Sequence, residues 1–303
     1  MRRVLESAER AAASSATILL LGESGTGKNL LAQQIHAWSP RRAKPFVVIN
    51  CATLSQQSLE REVLGRATKG PPLGAKGSGS PLEGAAGGTV FLDEVSDLSA
   101  ALQLALVRFV QDHVLETAEG ERAVDVRIVA ATSRDLPSEV AAHRFRDDLF
   151  YGLNIISLRV PALRERRADI LPLARQMLIA AAMRNRRSHL YISDDAAVAM
   201  TYYRWPGNVR ELRNAVEAAA VLCENGTIEL SHLPEAVARN ASGKPTTAAP
   251  RVRLDAIERE HIARVLAVSR TLEDAAVTLG INVTTLWRKR KRYKLDLGTG
   301  SKV

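Results

Sequence analysis

The sequence predicts an α/β fold built on a five-stranded parallel sheet, followed by two helical regions. Three observations carry this expectation. Apolar runs at Thr17–Leu21, Phe46–Ile49, Thr89–Leu92, Val126–Ala131 and Ile155–Val160 are mostly continuous rather than alternating, as in parallel strands buried on both faces. Segments of helical spacing lie between them, such as Leu98, Leu102, Ala105, Leu106 and Phe109, which makes a βαβ pattern. After Pro161 the strand signals stop and helical periodicity takes over.

The connecting segments follow from their composition. Gly70 to Gly88 holds seven glycines and three prolines in nineteen residues, so a long loop is expected. Ser193 can cap a helix running to Tyr203; Trp205, Pro206 and Gly207 break it, and Asn208 can cap the next, to about Cys223. Arg239 to Arg253 lacks apolar periodicity and reads as a flexible linker. Beyond it, Leu254, Ile257, Ile262, Val265 and Leu266 form one helical face, and Leu272, Ala275, Ala276 and Leu279 form another. The expected divisions are an α/β region at 1–160, a helical region at 161–238, a linker at 239–253 and an all-α domain at 254–303.

Composition narrows the class. The 303 residues carry 42 Lys and Arg against 33 Asp and Glu, a net charge of +9, with 46% apolar and 4% aromatic residues. This excludes a disordered or collagen-like chain and favours two or three packed domains. Cys51 and Cys223 have no ligand spacing and cannot build a disulfide framework, so a reducing, cytoplasmic setting is expected. No apolar run approaches the roughly 20 residues of a membrane span, and Met1-Arg2-Arg3 does not lead into a signal core, so no membrane partner is expected. Six histidines lack paired-ligand spacing. The charge is local. Residues 281–303 hold seven basic groups against one acid and residues 157–187 hold eight against two, which leaves the remainder slightly acidic.

Gly22-Glu23-Ser24-Gly25-Thr26-Gly27-Lys28 follows a strand and precedes a helical run from Asn29 to Trp38. Glycines at this spacing turn backbone N–H groups inward around phosphates, the helix start adds its positive end, and Lys28 supplies a cation to the outer phosphates of ATP. The Ser or Thr that ordinarily ligates Mg2+ after the lysine is here Asn29, so the metal leans on Asp93 at the end of the Thr89–Leu92 strand. Beside it, Glu94 can polarise a water for attack on the γ-phosphate.

These residues, with VINCATL at 48–54, GGTVFLDEV at 87–95, VDVRIVAAT at 124–132, FRDDLFY at 145–151, PALRERRADI at 161–170 and WPGNVRELRN at 205–214, resemble the AAA+ domain of bacterial enhancer-binding proteins, the sigma-54-dependent transcriptional activators. The match covers nearly the whole chain. It implies an AAA+ P-loop domain with a helical lid, assembled as an ATP-driven homo-oligomeric ring, usually hexameric, that remodels RNA polymerase. By this resemblance Asn50 restrains Glu94, Thr132 and Ser133 form the first sensor, Arg146 is one of two arginines presented to a neighbour's nucleotide, and Arg210 is the second sensor. The basic segment 157–187 enters the lid, where it can sit near nucleotide, at a subunit interface, or as a solvated helix face.

Several positions depart from the family pattern. Its polymerase-engaging GAFTGA hexapeptide corresponds to Gly70-Pro71-Pro72-Leu73-Gly74-Ala75, with one extra residue after Gly65. The aromatic and hydroxyl groups are absent and two prolines stiffen the loop. The second arginine of FRxDLxxR is Gly152, and the sensor position usually held by Asn is Ser133. The expectation is ATP binding with weak hydrolysis and impaired sigma-54 engagement. The alternatives are a fully active ATPase acting on sigma-54 polymerase, or a non-catalytic regulator working with the ordinary polymerase. About sixteen residues precede the first strand, too few for a receiver domain; either regulation in cis is absent or the annotated start lies inside a longer gene.

Leu272–Leu279, Gly280-Ile281-Asn282 and Val283–Tyr293 read as helix, turn and helix, resembling the Fis-type helix-turn-helix that ends this family. Leu286 and Tyr293 can pack inward. Thr284, Thr285 and Arg288 are placed for base edges of double-stranded DNA, while Lys289, Arg290, Lys291 and Arg292 suit phosphates. Trp287 could stack or pack, and packing is expected. The helix at 254–268 is expected to pair two subunits into a DNA-binding dimer.

Overall fold

A computed structural model of the chain describes residues 1–52, 84–112, 114–117, 120–185, 187, 190–240, 258, 261–266, 269 and 271–293. The Gly70–Ala75 hexapeptide, most of the expected glycine-rich loop, nearly all of the linker and the start of the 254–268 helix lie outside the described residues. Within the expected loop, Gly84 is helical and residues 85–87 turn.

The chain forms two units, Met1–Lys244 and Pro245–Val303. The first opens with α1 (Arg2–Ala12), β1 (Ile18–Leu21), α2 (Lys28–Trp38), β2 (Phe46–Asn50) and β3 (Thr89–Asp93). After a short 3-10 turn come α3 (Ala100–Asp112), β4 (Val114–Thr117), β5 (Gly120–Ala123), β6 (Arg127–Thr132), α4 (Leu136–Ala141), α5 (Asp147–Leu153) and β7 (Ile156–Arg159). The sheet has the order β2-β3-β6-β1-β7, and all its pairings are parallel. These are the five strands the apolar runs predict, with no bound shifted by more than one residue. The antiparallel β4–β5 hairpin and α1 were not predicted, because neither has a long apolar run.

Alternate residues of each central strand enter opposite cores. Leu19, Leu92, Ile128 and Ala130 face a cluster with Leu102, Leu106 and Phe109 of α3. Ile18, Leu20, Phe91, Val129 and Ala131 face one with Ala8 and Ala12 of α1 and Leu31 and Ile35 of α2. Both faces are buried, which is why the runs do not alternate. Arg127 at the start of β6 is also buried; it donates from Nη1 to the Ala12 carbonyl at 2.7 Å and from Nη2 to the Ala11 carbonyl at 2.8 Å. Both carbonyls lie at the C-terminal end of α1, that of Ala11 also accepting from the Ser14 N–H at 3.2 Å, so the guanidinium ties that helix to the sheet.

The lid comprises α6 (Ile170–Arg184), β8 (Tyr191–Ile192), α7 (Asp194–Tyr202), α8 (Asn208–Leu222), β9 (Thr227–Ile228) and α9 (Glu235–Ala238). Ser193 caps α7, accepting from the Ala196 N–H. Trp205, fully buried with φ 50°, anchors the break between α7 and α8 and donates from Nε1 to the Met200 carbonyl at 2.8 Å. Asn208 does not cap α8 as expected. Gly207 holds that position, and the Asn208 side chain is used elsewhere.

In the second unit Ile262, Val265 and Leu266 pack with α10 (Leu272–Leu279) and α11 (Val283–Tyr293) around Ala275, Ala276 and Leu286. Thr271 caps α10 by accepting from the Asp274 N–H at 3.1 Å. Gly280 makes the turn at φ 64°, a left-handed conformation that costs a side-chain-bearing residue far more.

Candidate nucleotide site and recognition helix

The P-loop links β1 to α2. Gly25 has φ 77°, and a Cβ there would stand 2.4 Å from the Gly207 carbonyl oxygen. Glycine is required because the lid backbone crosses directly over the loop. The crossing is hydrogen bonded: Val209 N–H donates to the Gly25 carbonyl at 2.9 Å. Thr26 donates from its hydroxyl to the Glu23 carbonyl at 2.8 Å and stabilises the loop from within. Lys28, 6% exposed, folds back to donate to the Gly22 carbonyl at 2.8 Å, the Glu23 carbonyl at 3.3 Å and Glu94 Oε1 at 3.3 Å. The buried ammonium is satisfied by these three oxygen acceptors. Asn29 is exposed on the first turn of α2.

β3 delivers the acids. Parallel pairing places Asn50 beside Asp93 at the ends of β2 and β3. Burial first, and then the Glu94 carboxylate, push Asp93 above the ordinary carboxylate range, opposed by Lys28 and Arg210. Two cations beside a partly desolvated carboxylate suit it to a metal shell next to phosphate. Glu94 has the left-handed φ of 57°, which turns its side chain toward Lys28 and Ser133. Its Oε2 accepts from the Ser133 N–H and hydroxyl, both at 2.8 Å. Asn50 makes no such contact here; its Oδ1 accepts from Ala52 N–H at 3.0 Å. Thr132 faces away, donating to the Ser96 hydroxyl at 3.1 Å. In this structure the groups that hold Glu94 are therefore Lys28 and Ser133.

Besides Arg210, the lid reaches the loop through Arg164, Arg166 and Asn208, to which sequence reasoning gave no individual role at the P-loop. Arg164 forms a bidentate pair with Glu23, Nη1 to Oε2 at 2.7 Å and Nη2 to Oε1 at 2.5 Å. Asn208, fully buried, donates to Glu23 Oε2 at 3.1 Å and to the Ser24 carbonyl at 3.0 Å, and accepts from Leu163 N–H at 2.8 Å. The Arg164 and Asn208 hydrogen bonds hold Glu23 down to about 2. Arg166 donates from Nη2 to the Thr26 carbonyl at 2.8 Å, while its buried Nε has no partner among the described residues. Arg210 donates to the Ser24 hydroxyl at 3.1 Å. Part of the basic segment 157–187 thus lies against the P-loop. The usable signal was Arg164 and Arg166 directly after the last strand, where a chain returning over the sheet must pass the loop.

Arg146 sits outside this cluster, at the N-cap of α5, in a bidentate pair with Asp148 at 2.9 and 2.7 Å. A Cβ at Gly152 would stand 2.9 Å from Val110 Cγ1 of α3, so an arginine there requires Val110 to move.

On α11, Thr284, Thr285, Arg288, Lys291 and Arg292 are exposed. Lys289 is not free: its Nζ lies 2.5 Å from Glu258 Oε1. Arg290 is half-buried. Trp287 does not pack inward; it is 53% exposed. Among the described residues no helix is long and apolar enough to cross a membrane, and no cluster of His, Cys, Asp and Glu could hold a metal by itself.

Family models match along the chain: the sigma-54 interaction domain at residues 1–159, the AAA+ ATPase lid domain at 164–250 and the bacterial regulatory protein, Fis family, at 253–293. The chain is 47% identical over 302 residues to the alginate biosynthesis transcriptional regulatory protein AlgB of Pseudomonas putida, covering 97% of this chain and 66% of that protein. It is 42% identical to the transcriptional regulatory protein ZraR of Klebsiella oxytoca, covering 96% of this chain and 67% of that one. The chain thus spans about two thirds of the length of the curated relatives it matches. The crystal structure of NtrX from Brucella abortus in complex with ATP is similar at a TM-score of 0.71 and 30% identity, covering 97% of this chain and 68% of that one. With these matches in the order its motifs require, the chain belongs to the sigma-54 interaction domain family of transcriptional regulators, carrying an AAA+ lid and a Fis-type helix-turn-helix.

Proposed function

We propose that this chain is an ATP-binding regulator of transcription that binds double-stranded DNA through α11 and acts on RNA polymerase as a homo-oligomer, with slow ATP hydrolysis and reduced engagement of sigma-54. The observation that carries the nucleotide reading is buried Lys28, solvated only by carbonyl oxygens and Glu94. ATP with Mg2+ supplies a γ-phosphoryl group that can be passed to water. In this chain Lys28 and the N–H groups of Gly25 to Lys28 would hold the phosphates, Asp93 would hold the metal shell, and Arg210 would neutralise outer charge. Glu94 would orient and deprotonate water once Lys28 releases it, while Ser133 keeps its Oε2 fixed. ATP bound to the related NtrX supports the same reading.

Slow hydrolysis is supported by Gly152, which presents no cation where the family pattern has its second arginine. A trans-acting arginine contributes about 10³–10⁵ in rate where it operates. Arg146 must also leave Asp148 to serve a neighbour. The test is run-off transcription with sigma-54 and ordinary holoenzymes, with and without ATP, beside an ATPase assay on the assembled protein. ATP binding with turnover well below that of an intact family member is expected. Turnover equal to such a member, or ATP-dependent open complexes with sigma-54 at full yield, would establish the fully active reading instead.

A further inference from the structure

The two faces of α11 are chemically distinct. Leu286 is fully buried, Tyr293 is half-buried and donates from its hydroxyl to Glu258 Oε2 at 2.6 Å, and Lys289 pairs with the same carboxylate. That stripe belongs to the domain's own core. One helical face away lie Thr284, Trp287, Arg288 and Lys291, all exposed and spaced i, i+3, i+4 and i+7.

Trp287 stands out in this stripe. The chain has three tryptophans; Trp205 is fully buried and Trp38 packs against the sheet core. Trp287 alone presents about half of its surface, with Lys291 Nζ 5.4 Å from its ring centroid. An indole between Arg288 and Lys291 suits a partner that is anionic and carries apolar groups at short range. The major groove of duplex DNA offers both: phosphates along its walls, and on its floor the C5 methyl of each thymine. Thr284, Trp287 and Lys291 on consecutive turns, with Arg288 next to the indole in sequence, match that mixture.

We propose that Trp287 is a specificity-determining residue that reads thymine by packing its indole against the C5 methyl in the major groove, with Lys291 passing from the ring to an adjacent phosphate. This rests on the reading of α11 as the DNA-recognition helix. The contact selects a base without a hydrogen bond, so it is sensitive to one methyl group.

The test uses the full chain and a randomised duplex DNA library. Wild type, Trp287→Ala and Trp287→Phe are each carried through selection, and the selected duplex is then remade with uracil replacing single thymines. Wild type should enrich a thymine in each half-site and lose affinity roughly fivefold when that thymine becomes uracil. Trp287→Ala should bind the thymine and uracil duplexes equally and lose the preference; Trp287→Phe should retain part of it. The inference is overturned if the wild type is insensitive to every uracil replacement, or if Trp287→Ala keeps the same preference and the same thymine-to-uracil ratio while still binding. Should wild type bind no duplex even at low salt, the recognition-helix reading falls and this inference falls with it. Circular dichroism of both variants separates these results from unfolding.

Discussion

At the P-loop, cations find their counter-charges within their own chain: Lys28 has Glu94, Arg164 has Glu23, and Arg166 and Arg210 reach loop oxygens. On α11, Lys289 is satisfied by Glu258, whereas Arg288 has no acid partner among the described residues and Lys291 rests on an indole ring. The difference follows the ligand each region suits. A small anion entering a closed pocket must find donors already aimed at it, and buried donors need interim acceptors. A polyanion lying along a surface displaces only water and counterions, so exposed cations cost little while they wait.

Of the cations at the P-loop, Lys28 should matter most to ATP binding. Lys28→Ala should weaken ATP binding by roughly a hundredfold, since charge-assisted bonds are lost without replacement, as isothermal titration with ATP and Mg2+ would show. Arg288→Ala should leave ATP affinity unchanged.

Asn208 tests how far the lid and loop form one body. Its amide makes three hydrogen bonds of 3.1 Å or shorter from a fully buried position, and Asn208→Ala removes these partners of the Ser24 carbonyl and the Leu163 N–H, while Glu23 keeps Arg164. Loss of about 2–4 kcal/mol in chemical denaturation is expected, against less than about 0.5 kcal/mol for Arg288→Ala at the exposed helix.

Glu23 adds a pH dependence to the same junction. Its folded value of about 2 lies below the ordinary 4.5, so its contribution to stability is fully present above 4.5 and is lost as pH falls toward 2. The difference in Tm between wild type and Glu23→Gln should be largest near neutrality and shrink as pH falls through that window. Its side chain is 43% exposed, so the effect should be smaller than that of Asn208→Ala.

The smallest effect is at α11. Glu258→Gln releases Lys289 for a phosphate, and the slope of log affinity for DNA against log salt should steepen by about one.

Much of this was legible in the residues. The five strands announced themselves because continuous apolar runs have few other uses in a chain this long, and GESGTGK between strand and helix marks a phosphate cradle by backbone geometry alone. The lid-to-loop ties were not legible, since Glu23, Arg164 and Asn208 are up to 185 positions apart and a local pattern cannot announce a pair. Asn208 was misread for a related reason. A polar residue at a helix start fits a cap locally, and only the fold shows that Gly207 takes that place. Trp287 could have been placed by geometry: once Leu286 and Tyr293 face inward, 287 is rotated about 100° off that buried face. The expectation that a large aromatic packs overrode that simple rotation.

Glu94 holds Lys28 in an ion pair at 3.3 Å, and a phosphate drawn to Lys28 would have to displace it. Titrating the full chain with a non-hydrolysable ATP analogue, wild type against Glu94→Gln, tests this claim directly. Removing the competing carboxylate charge should tighten analogue binding several-fold; equal or weaker binding by Glu94→Gln would contradict the claim.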